Sequence, residues 1–385
     1  MYLLKLIFKN ALRHKLRTSL TVTGIVVATV AFGLLSTVVD AWYAGAESAS
    51  SSRLVTRNSI SLVFSLPLTY DAKIRRIDGV KSVSYANWFG GIYKEPRNFF
   101  PQFAIDAPTY LAMYPEFKIP EAQKTAFLRD RKGCILGRKT ADNYGIKLGD
   151  VINLKGTIFP GNWEFVVRGI YDGAEARTDT SQMFFHWSYL NETLQRTVAR
   201  RANWVGVYVI DITSPDRAAE VSRAIDQTFK NSLAETLTET EQAFQLGFVS
   251  MTEAIVVAVR AVSFLVIVII MAVMANTMAM TARERIAEYA TLKALGFGPG
   301  FLSLLIAGES LLIALVGGLL GVALTFPIAG AFSRALGTFF PVFNLSGTTI
   351  VTQIACAITV GIIAALFPMR RAATVPIVDG LRSIG

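Results

Sequence analysis

Four long apolar runs, Leu20–Val39, Ala261–Ala282, Phe301–Ile328 and Ile350–Pro368, constrain this chain more than any other feature. Each is close to the ~20 residues that cross a ~30 Å hydrocarbon layer as a helix. Four helical spans are therefore the parsimonious reading. Composition supports it, because 52% hydrophobic and only 17% charged side chains is too apolar for a soluble chain of this length.

Basic residues set the expected orientation, since Lys and Arg accumulate on the cytoplasmic side of spans. Lys5, Lys9, Arg13, Lys15 and Arg17 precede the first span, and Arg283, Arg285 and Lys293 lie between the second and third. Arg370, Arg371 and Arg382 follow the fourth, whereas the segment 329–349 holds Arg334 alone. Both termini are thus expected in the cytoplasm, with residues 43–260 outside. The net charge of +10 sits mainly beside the spans, which fits topology signals and anionic lipid contact and argues against nucleic acid.

The two cysteines, Cys134 in the outer segment and Cys356 in the fourth span, cannot meet on this topology. With His14 and His186 as the only histidines, no zinc-type spacing exists, and no nucleophile, histidine and carboxylate constellation is present. No enzyme, cofactor or metal site is expected in this chain. The basic start followed by Ala44-Gly45-Ala46 resembles a cleavable signal. Against cleavage, the apolar run is longer than a signal core. Leu3, Leu4, Ile7, Phe8 and Leu12 also form a stripe opposite Lys5, Lys9 and Arg13, which predicts a membrane-surface amphipathic helix over 1–18 leading into a span at 19–42.

The outer segment, 43–240, reads as a mixed α/β body. Strand-like Ser59–Ser65, helical Thr69–Ile77 and strand-like Val80–Ala86 make one β-α-β unit. Strand-like Trp204–Ile212, a helix Arg217–Lys230 capped by Asp216, and a closing strand Glu235–Thr240 make another. The pair suggests a split, ferredoxin-like arrangement with residues 98–200 inserted as a mostly β second lobe. Val151–Leu154 and Trp163–Tyr171 supply that lobe's apolar runs, between turns at Gly149-Asp150, Pro160-Gly161 and Asp172-Gly173. From Thr240 to Gly296 no proline intervenes, so one long helix is expected, with a stalk over 241–260 continuing as the span 261–282.

Gly133-Cys134-Ile135-Leu136-Gly137-Arg138-Lys139-Thr140 imitates a phosphate loop but has three residues between its glycines and Arg138 where Lys belongs, so it is read as a turn before a helix. The segment 283–300 says more. Arg283, Glu284, Arg285, Glu288 and Lys293 alternate in sign at helical spacing, and Gly296 is a good terminator, which predicts a short rigid helix below the membrane. This run resembles the Arg-Glu-Arg, Glu, Leu-Lys/Arg-Ala, Gly pattern of the MacB/FtsX-like permeases of ABC transporters. Tyr289 and Ala290 depart from it, standing where the family has an aliphatic residue and glycine. The likeness extends to Gly137…Leu148-Gly149-Asp150, to Val166–Asp172, and to Pro368…Arg371-Ala372-Ala373…Pro376…Leu381-Arg382.

The resemblance implies a four-span permease of the mechanotransmission type, with a ferredoxin-like porter lobe and a sabre-like insert. Its partners would be an ATPase dimer that binds ATP and Mg, a second permease copy, a periplasmic adaptor (membrane fusion protein) and an outer-membrane tunnel. The location implied is the bacterial inner membrane. The helix 282–297 would dock on the ATPase through Arg283, Glu284, Arg285, Glu288 and Lys293, with Leu292 as apolar anchor and Gly296 as terminator. The load would be export or extraction of a peptide, drug, lipid or lipoprotein; the alternative is an FtsX-like transmitter that activates an extracytoplasmic cell-wall hydrolase.

Within the third span, 301–328, Glu309 must face protein. It serves either a transport path or, as favoured here, a structural pairing with Arg13, Arg17 or a backbone donor. Gly317, Gly318 and Gly321 offer a face for close helix approach or dimer packing. Arg260 and Asp40 are read as headgroup-facing ends of their spans, and 350–369 and 370–385 as the fourth span and a cytoplasmic tail.

Overall fold

A computed structural model describes residues 2–175, 178–336 and 343–374. The tail residues Pro376, Leu381 and Arg382 lie outside them. The described residues divide into two compact units, one drawn from 2–40, 253–336 and 343–374, the other from 41–175 and 178–252.

In the first unit, α1 (Tyr2–Ala11) carries the amphipathic stripe, with Ile7 and Ala11 buried, and a turn at 12–14 separates it from α2 (Lys15–Ser48). The remaining helices of this unit, numbered after those of the second, are α10 (Glu253–Glu284), α11 (Ile286–Ala294), α12 (Pro299–Leu336) and α13 (Gly347–Thr374). Of these six, α2, α10, α12 and α13 are long and apolar enough to span a membrane. Only 11% of the most apolar window of α10 is buried, which leaves its surface to lipid. The expected single helix from Thr240 to Gly296 is broken twice. Backbone angles of −113°, 12° at Thr252 and −105°, 12° at Arg285 leave the helical region, and each break is held by side-chain bonds. Thr252 Oγ1 donates to Val249 O and accepts from Trp42 Nε1, while Arg285 turns inward.

Small residues let the bundle close. A β-carbon on Gly317 would sit 2.8 Å from Ile25 Cβ, one on Gly321 would sit 2.6 Å from Thr29 Cβ, and one on Gly318 would sit 2.5 Å from Ala357 Cβ. The glycine face is therefore spent inside the chain, on α2 and α13. Asp40 is not a bare headgroup contact either: its Oδ2 accepts from Ser346 Oγ (2.9 Å) and Thr349 Oγ1 (2.8 Å) at the start of α13. Arg260 is exposed.

The second unit runs β1 (Arg53–Asn58), β2 (Leu66–Pro67), α3 (Tyr70–Ile74), β3 (Val80–Trp88), β4 (Gly91–Tyr93) and β5 (Gln102–Ile105). It continues through α4 (Ala107–Met113), β6 (Phe117–Lys118), α5 (Glu121–Arg129), β7 (Gly133–Gly137), α6 (Arg138–Tyr144), β8 (Val151–Gly156) and β9 (Gly161–Gly173). After β10 (Met183–His186) and α7 (Trp187–Thr197) come β11 (Trp204–Val205), β12 (Val207–Ile212), α8 (Ala218–Thr228), β13 (Thr236–Thr240) and α9 (Glu241–Met251). One sheet has the order β13-β1-β12-β3-β5-β10-β7-β9-β8-β4, with β6 on β9. Its first four strands are antiparallel neighbours and come from the two expected β-α-β units, interleaved.

Several local expectations need correction. Ser59–Ser65 is a hydrogen-bonded turn with Ile60 and Val63 exposed; the strand is the preceding β1, whose polar Arg53, Thr56 and Asn58 are buried because partners inside satisfy them. Asp216 does not cap α8, since it lies within a 3-10 turn that starts after Ser214. The insert is not mostly β: it carries α4, α5, α6 and α7, and β5 joins its strands to the same sheet by pairing with β3. The sequence that imitates a phosphate loop is a fully buried strand, β7, that runs directly into α6. Cys134 and Cys356 are both unpaired thiols.

Candidate coupling site

The charged run at the α10–α11 elbow folds into a brace. Where α10 stops, Arg285 points into the bundle and is 6% exposed. Its Nε donates to Glu288 Oε2 (3.0 Å), its Nη1 to Glu309 Oε2 (2.9 Å), and its guanidinium lies 5.4 Å from the Tyr289 ring centroid. Glu309 is 4% exposed, so this is a buried ion pair that ties the elbow to α12. Arg13 and Arg17, the partners expected for Glu309, are committed elsewhere. Arg13, in the turn after α1, binds Glu288, and Arg17 of α2 makes a two-pronged bond to Glu284 at 2.7 and 2.8 Å. Lys293 Nζ donates to Ala373 O at the end of α13 (2.8 Å).

The turn after α1 and the helices α2, α12 and α13 thus each hold the elbow. Burial pushes Glu288 upward, but hydrogen bonds from Arg13 and Arg285 outweigh it and hold its carboxyl below the ordinary glutamate value. The departure at Tyr289 and Ala290 has a place in the packing: both are buried, and burial pushes the Tyr289 phenol up to about 12. Three carboxylates and three guanidinium groups, with Glu288 shared by Arg13 and Arg285, also fix α11 in orientation, because Arg forks bind carboxylates in defined geometry.

The end of α11 is built by Gly296. At φ +91° it donates to Lys293 O (3.0 Å) while Phe297 N donates to Leu292 O (3.0 Å), the double bond pattern that closes a helix over a left-handed residue. Phe297 then packs against Phe301, with the rings tilted by 31° and their centroids 4.7 Å apart. This turn leaves Leu295 71% and Phe297 42% exposed.

The residues singled out from sequence therefore divide. Arg283 and Glu284 are at the surface, Glu288 and Lys293 are half-buried and bonded within the unit, and Arg285 is internal. Leu292 packs against the bundle core rather than projecting from it. The projecting apolar pair, Leu295 and Phe297, flanks the glycine itself. Its sequence signal was available, since Leu295 and Phe297 are large apolar residues on either side of a helix-ending glycine in a polar segment. Among the described residues no group of three or more His, Cys, Asp or Glu side chains is arranged to hold a metal.

Residues 260–377 match the model of the FtsX-like permease C-terminal family, and residues 18–228, more than half the chain, match that of the MacB-like periplasmic core domain. The chain belongs to the MacB/FtsX-like permeases. An uncharacterised ABC transporter permease of Methanocaldococcus jannaschii is 25% identical over 97% of this chain and 96% of its own length. A macrolide export ATP-binding/permease protein, MacB, from Shewanella sp. strain ANA-3 is 34% identical over 28% of this chain and 16% of that protein. A crystal structure of the periplasmic region of MacB from Actinobacillus actinomycetemcomitans aligns with 52% of this chain and 94% of that one at 8% identity and a TM-score of 0.37. This MacB/FtsX-like permease is accordingly a multi-pass membrane protein with four candidate spans and a mixed α/β unit between the first two.

Proposed function

We propose that this permease couples ATP hydrolysis in a separate ATPase subunit to conformational change in its α/β unit, and that this motion exports or extracts a substrate outside the membrane. The basic segments around α1, α11 and the end of α13 support a cytoplasmic location for both termini and the elbow, by the rule that Lys and Arg stay inside. ATP and Mg would then belong to the partner, as would all nucleotide chemistry. The observation that carries the reading is the elbow: the segment 283–297 offers Arg283, Leu295 and Phe297 outward while its other charges bind α2, α12, α13 and the turn before α2. A push on such an element moves the bundle as one body rather than bending a loop.

Two permease copies on an ATPase dimer, a ferredoxin-like porter lobe with a sabre-like insert, and an adaptor leading to an outer tunnel complete the assembly that the family suggests. The test is co-purification. Leu295→Asp with Phe297→Asp is expected to reduce recovery of the ATPase with the tagged permease at least tenfold while the permease remains folded in the membrane. Undiminished recovery would refute the docking surface.

A further inference from the structure

The α/β unit contains a second buried charge centre, independent of the elbow. Arg53, the first residue of β1, is 5% exposed. Its Nε donates to Glu241 Oε2 (2.7 Å), its Nη1 to Met113 O (2.9 Å) and its Nη2 to Glu116 Oε1 (2.6 Å), and its guanidinium lies 4.2 Å from the Tyr114 ring centroid. Glu241, the first residue of α9, is 6% exposed and also accepts from Tyr114 Oη (2.8 Å) and Ser50 N (3.0 Å). Burial disfavours the charged guanidinium, but the Glu241 carboxylate beside it raises its pKa, so Arg53 keeps its charge.

The centre's position in the topology gives it meaning. Ser50 and Arg53 follow α2, and Glu241 begins α9, so both chain connections to the membrane unit converge on it. Joining those two connections needs no ion pair, since β1 already pairs with β13 from Leu54↔Thr240 to Asn58↔Thr236. What Arg53 adds is the inserted region, through the end of α4 and Glu116. Along the sheet, among the described residues, that region joins the first four strands only by the short β3–β5 ladder, Ala86↔Ile105 to Trp88↔Phe103. Buried ion pairs are commonly no more stabilising than apolar side chains of similar volume, so fold stability is a weak reason for this one.

We propose that Arg53 is a positioning residue that makes the insert follow α9: displacement arriving at Glu241 passes through the guanidinium to Met113 O and Glu116, and the insert swings against the β13-β1-β12-β3 part of the sheet. This rests on the coupling function proposed above.

The experiment uses the full chain with its ATPase in lipid nanodiscs, in a background with Cys134 and Cys356 replaced by alanine. Spin labels at Arg223→Cys on α8 and Arg196→Cys on α7 report the distance between the strand-β13 side and the insert, with and without a non-hydrolysable ATP analogue. The native pair is expected to shift by several ångströms on nucleotide binding. Arg53→Met with Glu241→Gln, which removes both charges and keeps a hydrogen-bonding group for Tyr114, is expected to abolish the shift while the nucleotide-free distance and ATP turnover are unchanged. A full shift in that variant overturns the proposal. If the variant's nucleotide-free distance is already altered, Glu116→Ala decides, because it leaves the buried Arg53–Glu241 pair intact: the shift is expected to fall by at least half, and a full shift overturns the proposal. Absence of a shift in the native protein instead overturns the coupling reading, and this inference with it.

Discussion

Replacing Arg285 by methionine isolates the energy of the elbow brace. The side chains of Arg285 and Glu309 are 7% and 6% exposed and 2.9 Å apart, so removing the cation strands a buried carboxylate. Breaking a buried pair in this way costs about 3–5 kcal/mol, most of it the penalty of the stranded charge. Glu288 is cushioned, because Arg13 still reaches it. Adding Glu309→Leu removes the stranded charge at similar volume, and the double variant is expected within about 1.5 kcal/mol of the native protein. Reversible unfolding in mixed micelles with increasing SDS, run on the native protein and the single and double variants, gives the coupling energy directly. Two results would refute the reasoning: an Arg285→Met variant within about 0.5 kcal/mol of native, which would mean the pair is solvated, or a double variant no better than the single, which would mean Glu309 has no stake in Arg285.

Three further outcomes are expected. Gly321→Ala places a β-carbon 2.6 Å from Thr29 Cβ and 3.2 Å from Val26 O, so overpacking should cost about 1–3 kcal/mol in the same unfolding assay, whereas Gly247→Ala in α9, with nothing within 4 Å, should be neutral or stabilising by up to about 1 kcal/mol. Gly296→Ala also meets no atom within 4 Å, and its φ of +91° alone should cost about 1–2 kcal/mol and fray the last turn of α11, seen as faster amide exchange over 292–297. His186 has its pKa lowered by burial, partly offset by its hydrogen bond to Phe127 O. The native state therefore resists the proton that the unfolded chain accepts, and stability of the α/β unit should decline as pH falls below the free-histidine value of 6.5; His186→Gln should flatten that slope between pH 6.5 and 5.

Hydropathy makes the four spans legible because lipid imposes one requirement on ~20 consecutive residues. The outer unit obeys a subtler balance. Ile60, Leu62, Val63 and Phe64 look like a strand yet form an exposed turn, while β1 looks polar yet is buried, because Thr56 bonds Thr238 and Arg53 bonds Glu241 across the fold. Periodicity reads the transfer of apolar surface and is blind to polar groups satisfied by distant partners. The same limit hid the site's inner half. The signs and spacing of Arg285 and Glu288 foretell their bond, but the Arg285–Glu309 pair exists only because the helix breaks at Arg285 and returns the side chain toward α12. Gly317, Gly318 and Gly321 were legible as a close-packing face; that α2 and α13 take it up is a matter of which helix passes where.

The claim at the centre of this account is that nucleotide bound to a partner in the cytoplasm changes the α/β unit outside. Amide hydrogen exchange of the assembled complex, with and without a non-hydrolysable ATP analogue, measures this directly. The account predicts that nucleotide alters exchange in α9 and in β1 and β13 of the native complex, and that Leu295→Asp with Phe297→Asp abolishes the change. Identical exchange in the α/β unit of the native complex with and without nucleotide would contradict it.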